Sequence, residues 1–241
     1  MDGTPLTPPR SRVIFAIDME GSTTRTNAAK GVLRRAMYTM FEQSLRISGV
    51  HDAYRDPFVD RGDGVLLLVH PVDEVPKTLL LTSVVPLLAT LLTEHTRSFP
   101  DECLRLRAVL HAGEVHHDGY GFFGESIDVA CRLLDAPDLK QRFREIAEPL
   151  ILIVSDHIHR SVVRHGYQGI DEDSYLPGPL VRVGPHRCRG WVHVPSGDDE
   201  LHRNAWPLVR VHSQAAFCPV EEPRPFPLRP PVLTDANEWS A

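Results

Sequence analysis

Residues 13–18, VIFAID, are a strand-length apolar run that stops on a carboxylate. The next residues, MEGST, are small and polar. A chain built this way must bury the run as a strand and set Asp18 at its end. Two chemistries fit a buried strand that ends so. One is an ordinary strand end with a helix cap behind it. The other is a site for a metal ion and a phosphate.

The rest of the chain alternates between the same two kinds of pattern. From Thr23 to about Ile47, Leu33, Met37, Phe41 and Leu45 recur every four residues and make one apolar helical stripe. Two strand-like runs, Tyr54–Arg61 and Val65–His70, are joined by Gly62-Asp63-Gly64, a strong hairpin signal. Residues 73–98 read as a second helical region, bent or restarted at Pro86. LRLRAVLHAGEVHH (104–117) alternates as a strand does, with Leu104, Leu106, Ala108 and Leu110 on one face and Arg105 and Arg107 on the other. GESIDVACRLLD (124–135) is helical. LILIVSD (150–156) is a buried strand that feeds a helix stopped by Gly166. Two short strands are expected near 180–183 and 190–194.

The order β-α-β-β-α-β, followed by a helix and a further βα unit, predicts an α+β fold with a ferredoxin-like core and extra C-terminal βα and β elements. Residues 1–11 are expected to be a disordered leader and 12–196 the folded domain. Residues 197–241, with CPVEEPRPFPLRPPV, are expected to be a proline-rich, partly disordered tail. The longest uncharged run, Thr78–Thr93, contains Pro86 and is too short for a membrane span, so it reads as a buried helix.

The net charge of −6 argues against a nucleic-acid partner. The four cysteines form no CxxC pair and read as reduced. With no signal peptide at the start, the expected location is cytoplasmic, away from the membrane. His111, His116, His117, His157 and His159 lack a third metal ligand at a telling spacing and are expected at the surface or at strand ends.

In a ferredoxin-like sheet the first strand and the hairpin are neighbours, so Asp18 and Asp63 come together. Two such carboxylates repel unless cations lie between them. Paired ions in such a site steady the attacking and leaving oxygens of a phosphoryl transfer. Magnesium favours one or two carboxylates plus substrate phosphates. Gly21 lets backbone amides come close, and Ser22 and Thr23 are expected to open a helix whose free amides face anions. Either aspartate alone is common cap or turn chemistry; their combination in this topology is the informative feature.

Three blocks resemble the class III nucleotidyl cyclase catalytic domain: VIFAIDMEGST, RGDGVLLLV, and LRLRAVLHAGEVHHDGYGFFGESIDVACRLLD. The likeness spans roughly residues 12–165. It implies that Asp18 and Asp63 are metal ligands, with a backbone carbonyl from Met19, for two divalent cations, Mg²⁺ or Mn²⁺. It implies that Glu20, Gly21, Ser22 and Thr23 cradle phosphates. Arg132 matches an arginine that stabilises charge on the transferred phosphoryl group and reaches the site from the other subunit. The resemblance thus implies a homodimer with shared sites that converts a nucleoside triphosphate to a 3′,5′-cyclic nucleotide and pyrophosphate.

The likeness has gaps. Asp128 stands where the family has a ribose-orienting asparagine. Val59 occupies a base-selecting position; Asp60 and Arg61 are near, but only one of them can face inward on a strand. A second base-reading position falls at Gly121 or Phe122. The base is left open among ATP, GTP and pyrimidine triphosphates. The competing readings are a catalytically silent cyclase-like module that binds nucleotide or dimerises to regulate a partner, and another metal-dependent phosphotransferase or phosphohydrolase, which gives Arg132 no role.

Overall fold

The computed structural model of the chain describes residues 8–195; the proline-rich tail and most of the leader lie outside them. The element order is β1 (Arg10–Met19), α1 (Asn27–Ile47), β2 (Val59–Asp60), β3 (Gly64–Val69) and α2 (Lys77–Ser98). Next come β4 (Leu106–His117), β5 (Phe122–Phe123), α3 (Glu125–Leu134) and α4 (Pro137–Arg144). The last elements are β6 (Leu150–Ser155), α5 (Asp156–Ser161), β7 (Leu176–Val183) and β8 (His186–His193).

One sheet has the order β2-β3-β1-β4-β6-β8-β7, with β5 paired to β4. Its first four strands are antiparallel neighbours, and β6 then adds parallel to β4. This is the α+β, ferredoxin-like arrangement expected, extended at the β4 edge. Because β1 is central, side chains on both its faces are buried. Phe15 and Ile17 pack with Leu33, Met37 and Phe41 of α1 and Leu88 and Leu92 of α2. Ile14 and Ala16 pack with Ile127, Ala130 and Leu133 of α3 and Phe143 of α4. That is why VIFAI reads as an unbroken apolar run. Burying each large aliphatic side chain in these two layers contributes about 2 kcal/mol.

The differences from the sequence reading are local. β1 takes in Arg10 and Ser11, assigned above to the leader. The strand expected over Tyr54–Arg61 shrinks to Val59–Asp60, because Asp52–Tyr54 form a 3₁₀ turn and Pro57 has no amide to donate. Helix α1 begins only at Asn27, capped by Thr26, whose hydroxyl accepts from the Ala29 amide. The helical region does not restart at Pro86: one helix runs from Lys77 to Ser98, with a wide π-type turn at Leu80–Val84 ahead of the proline. Such a turn re-routes the hydrogen bond that a proline cannot make. This helix is long and apolar enough to cross a membrane, yet Leu80, Leu81, Val84, Val85, Leu88, Ala89 and Leu92 are buried in the core.

α3 sits close on the sheet. A Cβ on Gly113 of β4 would press on the Ser126 side chain, so the glycine gives the start of this helix its room there. The apolar face of α3, Ile127, Ala130, Leu133 and Leu134, is buried, while Glu125, Asp128, Arg132 and Asp135 are exposed.

Candidate active site

The last residue pairs of β1 and β3 bring the two aspartates together. Asp18 pairs with Gly64, and the Met19 amide donates to the Asp63 carbonyl at 2.9 Å. Gly64 must be glycine: an added Cβ would lie 2.5 Å from the Ile17 carbonyl and 3.3 Å from Asp18 Oδ1. The absent side chain leaves the Asp18 carboxylate its space beside the hairpin tip.

Neither carboxylate stands alone. Arg107, on β4 directly opposite Asp18, donates to its Oδ2, and the pair is nearly buried, with side-chain exposures of 10% and 18%. Ser22 donates its hydroxyl to Asp63 Oδ2. Burial is the largest influence on the Asp18 carboxyl and pushes its pKa up. Arg107 pulls the other way, while the charges of Asp63 and Asp135 add to the upward push. The Nε of Arg107 is buried with no hydrogen-bond partner among the described residues.

The turn after β1 is narrower than expected. Gly21 is left-handed (φ 67°) and Ser22–Thr24 form one 3₁₀ turn, so Ser22 and Thr23 do not open α1. The Glu20 amide donates to the Arg105 carbonyl at 3.0 Å, and the Glu20 carboxylate pairs with Arg105 at 2.9 Å. Glu20 is thereby turned to a structural role. The Met19 side chain is 2% exposed in the α1–α2 core, so only its backbone faces the site. The amides of Gly21, Ser22 and Thr23 make no backbone hydrogen bond outside helices and strands among the described residues.

Two carboxylates and a backbone carbonyl are hard oxygen donors. With substrate phosphates to complete the set, they suit Mg²⁺ or Mn²⁺. Among the described residues no three His, Cys, Asp or Glu side chains gather as a metal-binding group.

Arg132 and Asp128, one helical turn apart on α3, share its exposed face. Neither side chain makes a hydrogen bond or ion pair among the described residues. The acid nearest in sequence to Arg132, Asp135, is instead paired with Lys140 at 3.0 Å. Asp128 lines a cavity of about 430 Å³ with Phe123, Gly124, Glu125, Val183 and Gly184.

The base-pocket candidates fall in two places. Val59 is half-buried against the α3-side core, and Arg61, two residues on, reaches the same side, where it donates to Cys131 Sγ at 2.8 Å. Asp60 points to the opposite face, held by Arg34 and by the Tyr38 hydroxyl at 3.0 Å. Gly121 and Phe122 lie beyond the far end of β4. The Gly121 amide closes a turn on Asp118 Oδ1 at 3.0 Å, and Phe122 pairs with His117. His117 is ten residues along β4 from Arg107, roughly 33 Å at strand rise. One chain therefore does not bring Gly121 and Phe122 to Asp18.

Arg107 is the site residue that sequence reasoning passed over. Its signal was present: an arginine inside a central strand needs a buried acid beside it. The histidines also differ from expectation. His111 and His159 are buried, at 8% and 7% exposure, because His111 is held by Ser155 (2.7 Å) and His159 stacks on Trp191 at 3.6 Å. Burial, with His157 adding to it, lowers the His111 pKa to about 4.

The sequence matches no protein-family model and no curated protein. The fold does have solved counterparts. An adenylate/guanylate cyclase/hydrolase from Silicibacter pomeroyi matches with a TM-score of 0.56 at 19% identity, over 79% of this chain and 99% of that one. The adenylyl cyclase CyaB of P. aeruginosa matches with a TM-score of 0.55 at 12% identity, over 80% and 97%. The guanylate cyclase domain of RhGC from Catenaria anguillulae, solved in complex with GTP, matches with a TM-score of 0.52 at 14% identity, over 79% and 100%. The chain thus has the fold of class III cyclase catalytic domains.

Proposed function

We propose that this chain is a class III nucleotide cyclase. It would act as a cytoplasmic homodimer with two shared sites and make a 3′,5′-cyclic nucleotide from a nucleoside triphosphate for intracellular signalling. The observation that carries this reading is the meeting of Asp18 and Asp63 at the end of β1, on a cyclase fold whose α3 presents an unengaged Arg132.

In the reaction the ribose 3′-oxygen attacks the α-phosphorus and its proton passes to solvent water. The bond from that phosphorus to the bridging oxygen breaks, and pyrophosphate leaves. Asp18, Asp63 and the Met19 carbonyl would hold two divalent cations, whose chemistry is to stabilise negative charge on the attacking and leaving oxygens. Ser22 holds the Asp63 carboxylate in place. The amides of Gly21, Ser22 and Thr23 would take phosphate oxygens. Arg132 would neutralise charge developing on the phosphoryl group, a contribution of about a thousandfold or more for a well-placed arginine. Asp128 would accept a hydrogen bond from a ribose hydroxyl, where an amide would do the same with its oxygen.

The alternative is a silent module that binds nucleotide or dimerises to regulate a partner. Two observations favour it: an anion at Asp128, and a guanidinium already seated on Asp18. The test is to incubate the protein with each of the four ribonucleoside triphosphates and Mg²⁺ or Mn²⁺, then identify products by mass spectrometry. A cyclic nucleotide that disappears in Arg132→Ala supports the cyclase. Nucleotide binding without any product supports the silent module.

A further inference from the structure

A second cavity lies away from the two aspartates. Its volume is about 660 Å³, and β1, α2, β4, α3, α5 and β8 all contribute to its walls. His111, on one wall, is four residues along β4 from Arg107, roughly 13 Å at strand rise. None of the residues that the cyclase reading uses lines this cavity.

Its chemistry starts from a buried histidine. His111 is 8% exposed, and its Nδ1 lies 2.7 Å from the Ser155 hydroxyl. Ser155 is fully buried, and its Oγ already accepts from the Ile158 amide at 3.4 Å. The proton of that hydroxyl therefore goes to the acceptor it faces, Nδ1, and the ring proton sits on Nε2. That N–H has no hydrogen-bond partner among the described residues. An unmet donor on a buried ring is costly. A methyl placed on Gly113 would touch the Ser126 side chain and lie 3.8 Å from His111 Nε2, so both groups stand over one glycine. Ser126 belongs to the first turn of α3, whose opening amides lack intrahelical partners. Lys77, on the α2 wall, is half-buried, and its ammonium makes no ion pair among the described residues. All of these groups donate. Arg12 lines the cavity too, but Asp56 matches its charge at 2.7 Å. Glu114 and Glu125 are exposed and so stand where the cavity opens, with Glu125 facing His186 at 4.0 Å.

We propose that this cavity is a second binding site, for a small phosphomonoester whose organic part carries hydroxyl groups. A phosphate head has three terminal oxygens, which suit several donors at once: Nε2–H of His111, the Ser126 hydroxyl, the first amides of α3 and the Lys77 ammonium. A carboxylate has fewer oxygens and leaves donors over. Glu114 and Glu125 only accept when ionised, so they take hydroxyls of the organic part and repel a second phosphate. The volume is that of a small-molecule site and is more than a bare phosphate fills. The site needs neither aspartate and no cation, so it stands or falls apart from the cyclase reading.

The test titrates the full chain by calorimetry, with EDTA present so that the Asp18–Asp63 end holds no cation. The probes are ribose 5-phosphate, inorganic phosphate and ribose. Ribose 5-phosphate should bind. Inorganic phosphate should bind about tenfold more weakly, the loss expected when one hydrogen bond to a charged group is missing, and ribose should give no heat. Ser126→Ala should weaken ribose 5-phosphate by about tenfold for the same reason. Lys77→Glu should weaken it further, and an acid at the first residue of α2 suits the helix, so the fold should hold. Both variants should keep the wild-type circular dichroism. No heat from ribose 5-phosphate, equal binding of ribose, or wild-type affinity in either variant would overturn the inference. Equal affinity for inorganic phosphate would overturn the ligand class.

Discussion

The strand end of the site and the exposed face of α3 differ in how far one chain completes them. At the strand end every charged group has an internal partner: Arg107 on Asp18, Ser22 on Asp63, Arg105 on Glu20. On α3, Asp128 and Arg132 have none among the described residues. Both regions carry charge, but only the first lies beside buried apolar layers, where an unpaired charge is costly. Partners at the strand end are therefore a condition of folding. The face of α3 is solvated and can wait for something outside the chain. The same pair of residue types, an aspartate and an arginine, is paired within the chain in one region and solvent-facing in the other.

The sharpest way to break this contrast is to remove Arg107. Arg107→Ala would strand a buried Asp18 beside Asp63 and within reach of Asp135. Breaking a buried pair by deleting one partner costs about 3 kcal/mol or more. Thermal denaturation should show the loss. Mn²⁺ should also recover more melting temperature in the variant than in the wild type, because a cation can replace the missing guanidinium. A variant that melts like the wild type would mean the Asp18–Arg107 pair is not needed for the fold.

The second prediction concerns His111, also on β4, buried and held by Ser155 with His157 beside it. An unfolded histidine takes up a proton near pH 6.5, whereas folded His111 does so only near 4. Between those values the unfolded chain binds more protons, so stability falls as the pH is lowered through that window. The loss approaches roughly 3 kcal/mol at its acid end. Denaturant titrations at pH 7 and pH 4.5 should show it. His111→Gln, which can still hydrogen-bond to Ser155, should reduce the slope.

A smaller effect is expected of Gly64→Ala. The methyl would press on the Ile17 carbonyl, a backbone atom that cannot swing away, at a cost of about 1–3 kcal/mol. The same methyl intrudes on Asp18 Oδ1, so Mn²⁺ affinity should fall by more than the stability loss explains. Calorimetry of the folded variant measures this. An unchanged metal affinity would mean Asp18 does not depend on the space Gly64 leaves.

These residues also mark how much was legible in the sequence. The sheet core was, because a strand buried on both faces leaves an unbroken apolar run, and VIFAI and LILIV are such runs. The placing of Asp18 beside the hairpin followed from strand order alone. What escaped was set by contacts far apart in sequence or by local chemistry that masks a pattern. Arg107 meets Asp18 across 89 residues, and only the β1–β4 register makes them opposite. β7 extends back to Leu176 through Pro177, Gly178 and Pro179, residues that hide a strand. The strand is admitted there because β7 is the sheet edge and shifts register between Pro177 and Leu180. Ser22 was read as a helix opener, whereas its hydroxyl serves Asp63. No pattern along the chain distinguishes those two uses.

Arg132→Ala is the mildest change on the stability scale and the most telling for function. An exposed side chain without a partner among the described residues should change stability by no more than about 0.5 kcal/mol. If Arg132 serves a site on the partner subunit, its loss and the loss of Asp18 damage opposite halves of each site. Asp18→Ala and Arg132→Ala should each be inactive alone. Mixed dimers then carry one site in which both residues are intact and one in which both are missing. With random pairing, half the dimers are mixed and half of their sites work, so an equimolar mixture should recover about a quarter of the wild-type rate. Product formation measured after mixing and re-equilibration decides it. A mixture that stays inactive, from a wild type that cyclises, would mean that Arg132 works with Asp18 of its own chain. The contrast between the two regions would then describe two layers of one site within one chain.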